Sequence, residues 1–404
     1  MNKQKAYPIV ISGILESYDV VLYGLLAPVF AKIFFPEDFK HSLISAFLIF
    51  SISFFVKPFG AILWGYVADK YGRKIVLMIT LSLMSIASIG MTLVPSYQTI
   101  GIASTIIILL LRLLQGLAFS GELPTIMVML YEIAPDNKKA TYNSFWDVAS
   151  NAGLVIGICV ITILYAVLSV EQIHEWGWRI CFGISIFFIL TVGYIRINAI
   201  ETKPQNESYS FSVLRCHWKK IISMMLYLFS LNFLYYTIML FNKFSILKNK
   251  EIELSEFQAS LIHFFVVLFF VIMLPIMGSI SDRFGMKKIS KITLLLLLLT
   301  AIPLYYCLTF GSLFFVILSC AIMTLGLAAL AASYAPLFLK TCPVEHRVSI
   351  LGIAFSLSVL IGSFTPSINH TLSLLLNSQM APVIYFVVSL ITSYMILNHG
   401  KLKL

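Results

Sequence analysis

Twelve stretches of about twenty apolar residues dominate this chain, and they limit its fold more than any other feature. They run approximately over 8–30, 43–67, 75–95, 101–130, 141–168, 179–199, 219–241, 257–281, 289–309, 312–338, 348–375 and 380–398. At 1.5 Å per residue, a helix of about twenty residues crosses the ~30 Å hydrocarbon core of a bilayer. Of the 404 residues, 59% are hydrophobic and 11% charged. A soluble domain is nearer 45–50% apolar and about 25% charged. A larger core cannot absorb that difference, so the bilayer itself has to act as solvent. The expected class is an all-α polytopic membrane protein with twelve transmembrane helices.

The start, "MNKQKAYPIVISGIL", has the basic and apolar regions of a signal peptide. Its apolar run is soon broken by Glu16 and Asp19, and no small-x-small cleavage site follows. It reads as an uncleaved first span. The stretch "ETKPQNESYSFSVLRCHWKK" is polar, carries a proline, and divides six spans from six. The expected organisation is an N-terminal half over 1–200, a cytoplasmic linker over 201–218 and a C-terminal half over 219–404. The closing "NHGKLKL" is too short for a coiled-coil osmosensor.

The net charge of +10 invites a nucleic-acid reading, but the positions argue for topology. With the N-terminus inside, most of the 28 lysines and arginines lie in cytoplasmic segments. Only Lys32, Lys40, Arg179, Lys243, Lys248 and Lys250 fall outside, and Lys57 and Arg112 lie within spans. That bias places both termini in the cytoplasm and accounts for the charge without nucleic acid. The six cysteines are scattered with no CxxC or Cys/His spacing, so neither a metal site nor a disulfide framework is expected.

The chain also repeats itself. "GYVADKYGRK" follows the second span and "GSISDRFGMKK" the eighth, with Asp69 and Asp282 213 residues apart. "APDNKK" and "CPVEHR" follow the fourth and tenth spans, 208 apart. Two echoes at nearly one offset indicate internal duplication, and paired halves with a central binding site are a transporter architecture. A positive loop alone would set topology through Lys70, Arg73 and Lys74. It leaves the glycines and aspartates unexplained. Gly65 lets a neighbouring helix approach, Asp69 follows one turn later, and Gly72 permits a tight turn. Arg73 and Lys74 can pair with an acid or with helix C-terminal carbonyls. The expected device is a cytoplasmic latch of Gly65, Asp69, Gly72, Arg73 and Lys74, repeated as Asp282, Arg283 and Gly285.

The pattern G-x-x-x-D-[KR]-x-G-[RK]-[RK] resembles the signature of the major facilitator superfamily. The second copy departs from it, with Met286 in place of the first basic residue. Within that superfamily, "GILESYDVVLYGLLAPVFAKIFFPED" and "VKPFGAILWGYVADKYGRK" resemble the metabolite:proton symporters, typified by proline/betaine transporters. Relatives usually carry Arg-Pro where this chain has Lys57-Pro58. "RLLQGLAFSGELPT" is similar to the family's R-x-x-Q-G-x-x-x-G-G-E, with Ser120 replacing a glycine. "APLFLKTCPVEHRVSILGIAFSLSVLIGSFTP" follows its pattern for spans 10 and 11. The resemblance implies the major facilitator fold, two pseudo-symmetric six-helix bundles, and proton-coupled uptake of a small metabolite such as proline or glycine betaine by alternating access.

Charge inside a membrane costs at least about 2.5–3.5 kcal/mol per group on insertion scales. Glu16, Asp19, Lys57, Arg112, Glu122 and Asp147 nevertheless stand within spans. Glu16, Asp19 and Tyr23 share one helix face; so do Arg112, Gln115, Phe119 and Glu122, and again Asn143, Asp147 and Asn151. These faces must turn inward. The expected coupling element is an Asp19–Arg112 pair. A carboxyl can take up a proton, arginine stays charged, and protonation loosens the pair. The resemblance supports it, since related symporters pair an acid on span 1 with an arginine on span 4. A permanent ion pair that fixes helix packing is the competing reading. Glu16 and Glu122 are further candidates for the proton, for a substrate ammonium, or for structural acids. Lys57 reads as a snorkelling or paired residue near the cytoplasmic side, not as a substrate ligand.

Candidate substrate contacts are Tyr23, Gln115, Trp146, Asp147, Asn151, Asn232, Tyr235, Tyr236 and Asn369. Tyrosine and tryptophan faces attract quaternary ammonium groups, although most tyrosines in so aromatic a chain serve packing. Relatives also carry dicarboxylates, citrate and oxoacids, which Arg112 suits equally. An uncoupled facilitator or exchanger is a further alternative on the same fold. His263 and His370 read as hydrogen-bonded core residues. No constellation for a membrane enzyme is present. The expected partners are a small-molecule substrate and the lipid bilayer of the cytoplasmic membrane, with no nucleic acid. No cofactor or metal is expected beyond the proton as coupling ion, and one chain suffices as the functional monomer.

Overall fold

In a computed structural model of the protein, each predicted apolar segment is helical over most of its described residues. The structure describes residues 11–36 apart from 12, 15, 16 and 20, together with 42–197, 215–241 and 256–398. The first span is helical at 17–19 and 21–25 and continues through Leu26 into α1 (Ala27–Ile33), where the Phe30 N–H donates to Leu26 O at 2.9 Å. There follow α2 (Ser42–Tyr71), α3 (Arg73–Leu93), α4 (Ile102–Ile133), α5 (Lys139–Val167) and α6 (Trp178–Ile197). The stretch expected as a linker lies mostly outside the described residues, and beyond it come α7 (Trp218–Tyr236), α8 (Glu256–Phe284), α9 (Met286–Phe310) and α10 (Leu313–Leu339). The chain closes with α11 (Arg347–Gly362), α12 (Thr365–Leu375) and α13 (Pro382–Asn398). Among the described residues, eight helical stretches are long and apolar enough to cross a membrane.

One predicted span is broken. The stretch 348–375 divides into α11 and α12 at Ser363 and Phe364. Pro366 stands in the first turn of α12, where its missing N–H is harmless; inside a continuous helix its ring would strike the carbonyl of Gly362. Gly362 itself is a close contact, since a Cβ there would lie 2.6 Å from Asn232 Cβ.

Two joints use glycine for its backbone alone. Gly72 has φ 118° and Gly285 φ 96°, values that side chains resist. Each lets α2 turn straight into α3, or α8 into α9, with one residue between helices.

The chain divides into two compact units. The first is Met1–Ile133, Ala149–Tyr209 and Val344–Ile353; the second is Ala134–Val148, Ser210–Pro343 and Ala354–Leu404. The first turns of α5 therefore belong to the second unit, and those of α11 to the first. In the first unit an aromatic cluster ties the first span to α6. Phe30 meets Trp178 edge-on at 5.4 Å and stacks on Phe182 at 6.1 Å, and Tyr18 donates to Cys181 O at 3.0 Å. In the second unit, Phe233 of α7 stacks on Phe386 of α13 at 4.8 Å, and Tyr227 meets Phe338 of α10 at 5.3 Å.

The α2–α4 contact is close-packed along its length. Trp64 Nε1 donates to Leu117 O at 2.7 Å. A Cβ on Gly60 would strike the Ser120 hydroxyl, and one on Gly121 would lie 2.5 Å from the Trp64 ring. A Cβ on Gly116 would sit 2.7 Å from Ser53 O, which is backbone and cannot swing away. Gly116→Val is therefore expected to force the helices apart at a cost of about 1–3 kcal/mol. A lowered midpoint of thermal unfolding in detergent checks it; an unchanged midpoint would mean that the helices are not in contact at Gly116.

Candidate functional site

The polar face of α4 meets the first span and α3 in the first unit. Asp19, Arg112 and Gln115 are all nearly fully buried. Gln115 stands between the two charges. Arg112 Nη1 donates to Gln115 Oε1 at 2.8 Å, and Gln115 Nε2 donates to Asp19 Oδ2 at 2.9 Å. The Ser88 hydroxyl of α3 donates to the same Oδ2 at 2.7 Å. Asp19 Oδ1 has no hydrogen-bond partner among the described residues. The Arg112 guanidinium also lies 4.7 Å from the centre of the Tyr23 ring, a cation–π contact. The neutral amide thus bridges the two charges through hydrogen bonds, and Asp19 Oδ1 accepts none within hydrogen-bond geometry, with the Ser185 hydroxyl of α6 nearby. Further along the same face, Glu122 is fully buried. Glu16 lies outside the described residues.

The helix ends carry a second arrangement, and it occurs twice. In the first unit, Asp69 at the end of α2 meets the start of α11. Its Oδ2 accepts from the Ser349 N–H at 2.9 Å and the Ser349 hydroxyl at 2.6 Å, and Oδ1 from the Val348 N–H at 3.3 Å. In the second unit, Asp282 at the end of α8 meets the start of α5. It accepts from the Ala140 N–H at 2.8 Å, the Thr141 N–H at 2.9 Å and the Thr141 hydroxyl at 2.6 Å. Each carboxylate sits where the helix dipole is positive and free N–H groups point outward. The glycine one turn earlier makes room for it. A Cβ on Gly65 would lie 2.7 Å from Ser349 Cα, and one on Gly278 2.9 Å from Thr141 Cα.

The two arrangements differ in charge. Around the first, Arg73 Nη2 donates to Glu132 Oε1 at 3.1 Å and to Val344 O at 3.3 Å, and Arg347 Nη1 donates to the same Glu132 oxygen at 3.3 Å. The Arg73 side chain is fully buried. In the second copy Met286 stands in Arg73's place and Lys340 in that of Glu132, so the acid that would gather basic groups is missing. Lys74 is partly buried, and Arg283 is exposed with its guanidinium 5.4 Å from the Phe284 ring. Glu132 is the residue that sequence reasoning missed. It lies three residues before the "PDNKK" echo, and an acid closing α4 near so many basic residues was the available signal. Ser349 and Thr141, 208 apart like the prolines of that echo, were a readable pair of hydroxyls as well. Ser88 had no signal, since most hydroxyls here bond only to their own helix.

The remaining candidates lie mainly in the second unit. Asp147 of α5 is within electrostatic reach of Tyr235 of α7 and Tyr334 of α10. Trp146 is buried beside it in sequence, and Tyr235 meets Tyr236 edge-on at 5.7 Å. Asn232 and Asn369 are buried, with Asn232 Nδ2 and both amide atoms of Asn369 unpaired among the described residues. Buried amides without partners are candidates for contact with a bound molecule. Asn151 is buried in the first unit. His370 is exposed on α12, contrary to the expectation of a core histidine, because the break at Ser363 sets α12 off from the helix before it. All six cysteines are free, and the described residues hold no group of three or more His, Cys, Asp or Glu side chains placed for a metal.

A family model described as the Major Facilitator Superfamily matches residues 11–366. The proline/betaine transporter of Salmonella typhimurium is 30% identical over 397 residues, covering 93% of this chain and 78% of that protein. The citrate-proton symporter of Klebsiella pneumoniae is 31% identical over 371 residues, covering 89% and 82%. Among solved structures, the proton:xylose symporter XylE aligns with a TM-score of 0.78 at 15% identity, covering 98% of this chain and 95% of that one. At that identity the likeness is one of fold.

Proposed function

The chain belongs to the Major Facilitator Superfamily, and on that premise we propose that this membrane transporter couples proton entry to uptake of a small zwitterion or organic acid. The carrying observation is the buried Asp19–Gln115–Arg112 chain with one open carboxyl oxygen. A proton on Oδ1 removes the negative end of the chain while Arg112 stays positive. The attraction relayed through Gln115 then weakens, and the first span is free to shift against α4. Without that charge swap, a group costing several kcal/mol to bury would have no use.

The helix-end carboxylates supply the gate. In this reading both lie on the cytoplasmic side, and their bonds to α11 and α5 hold that side shut until they release. Two six-helix halves, 1–200 and 219–404, joined by a linker over 201–218, then give alternating access to the solute, each chain acting alone in the cytoplasmic membrane with both termini inside. Substrate contacts come from Tyr23, Trp146, Asp147, Asn151, Asn232, Tyr235, Tyr236 and Asn369. The proline/betaine relatives support a zwitterion; the citrate relatives support an organic acid.

Uptake into proteoliposomes, with and without an inward proton gradient, tests the proposal. Radiolabelled proline, glycine betaine and citrate form the panel. One of them is expected to accumulate above equilibrium only when the gradient is present. Accumulation indifferent to the gradient would replace symport with facilitation or exchange.

A further inference from the structure

The structure assigns a ligand-binding part to Lys57 that its sequence context does not suggest: we propose that its ammonium binds the carboxylate of the transported solute. The inference rests on the symport reading above and names the residue that takes the substrate's negative end.

Position comes first. On α2 the strongly exposed apolar row is Phe55, Phe59, Ile62 and Leu63. Lys57 projects from the opposite side, in line with Ser53, Gly60, Ala61 and Trp64, all buried. Residues three, four and seven apart share a helix face. Lys57 is nonetheless partly exposed. Its open surface is therefore on the side of α2 opposite that apolar row, which does not favour snorkelling along the row.

Partners come second. The Lys57 ammonium lies 4.2 Å from the centre of the Phe54 ring and 5.0 Å from that of Phe119. Phe119 is on the polar face of α4, two turns beyond Arg112. Among the described residues no carboxylate and no hydrogen-bond acceptor meets Lys57. Ring faces attract a cation by about 0.5–2 kcal/mol each, which falls short of neutralising one held away from water. Three N–H donors are thus left for an anionic oxygen to fill.

Competition comes third. Arg112 is the obvious rival for a substrate carboxylate, but its guanidinium is engaged by Gln115 and the Tyr23 ring and belongs to the Asp19 chain. The two cations lie within electrostatic reach of each other, so a carboxylate held by Lys57 relieves their repulsion while Arg112 stays in the Asp19 chain. A carboxylate is also the group that zwitterions and organic acids share, so the assignment holds for either.

The test uses the full chain in proteoliposomes and whichever of proline, glycine betaine and citrate the wild type takes up. Lys57→Met keeps the stem and removes the charge; it is expected to raise KM about tenfold or more, the worth of one charge-assisted hydrogen bond. Lys57→Arg restores the charge and should return KM to within about threefold of wild type. Lys57→Gln gives a second neutral variant if the methionine variant does not assemble. Choline, which keeps the quaternary ammonium of betaine and lacks its carboxylate, should compete equally poorly against wild type and Lys57→Met. A neutral variant with KM within about twofold of wild type overturns the assignment and leaves the symport reading standing. A wild type that takes up none of the three solutes defeats both.

Discussion

Asp19→Asn is expected to abolish uphill accumulation while exchange of substrate across the membrane continues. The substitution keeps the shape of the side chain. Ser88 can still donate to the amide oxygen, and Gln115 can still lie between positions 19 and 112. What disappears is the ability to alternate between a charged and a neutral state. Arg112 then faces a permanently neutral partner, as it would in the protonated wild type, and the transporter can reorient without carrying a proton. One coupled proton and a gradient of one pH unit support about tenfold accumulation, since one unit is worth about 1.4 kcal/mol. In the variant, internal and external concentrations should become equal. Counterflow, in which labelled substrate enters as unlabelled substrate leaves, needs no net proton movement and should persist. Undiminished uphill uptake would exclude Asp19 as the proton carrier and reduce the chain through Gln115 to a packing device.

Glu132→Gln should produce the largest loss of stability among single changes at the helix ends. One oxygen of Glu132 receives both Arg73 and Arg347, at 3.1 and 3.3 Å. The Arg73 side chain is fully buried, and those of Glu132 and Arg347 are partly buried at 13% and 14% exposure. Removing the acid takes away the charge that both guanidiniums share, while Arg73 keeps Val344 O and the nearby Asp69. Breaking a buried pair from one side costs on the order of 3–5 kcal/mol, more than the intact pair contributes, because the orphaned charge stays out of water. A lowered midpoint of thermal unfolding is the readout. The double variant Arg73→Gln with Glu132→Gln should recover part of the loss, as it removes one of the two cations that shared the acid. If the single and double variants unfold at the wild-type temperature, the three side chains do not form a coupled group in the membrane. The equivalent positions in the second unit, Met286 and Lys340, hold no such group, so Lys340→Gln should leave stability near wild type.

The helices were legible because what specifies them is local. An apolar run long enough to cross a bilayer has to satisfy its own backbone, and helical hydrogen bonds join residues only four apart. The repeated glycines were legible for the same reason: a positive φ at Gly72 or Gly285 is a property of one residue. The inward faces followed from spacing along single helices, which brought Asp19, Arg112 and Gln115 into consideration together. Family resemblance, carried by the same motifs, pointed to the superfamily. In one place the local reading failed locally: the eleventh span breaks where Pro366 follows Gly362, a signal that its continuous hydrophobicity concealed.

Partnership was not legible, because it depends on ångström distances between residues remote in the chain. Asp69 bonds to Ser349, 280 positions away, and nothing near Asp69 names that hydroxyl. The amide that separates Asp19 from Arg112, the acid that gathers Arg73 and Arg347, and the two rings beside Lys57 were each decided by how helices pack. By itself, then, the sequence determined which segments are helices, which faces are polar and where the chain turns. Only the tertiary structure decided which charges meet across helices and which do not, because electrostatic energy in a low-dielectric interior follows distance in space and not along the chain.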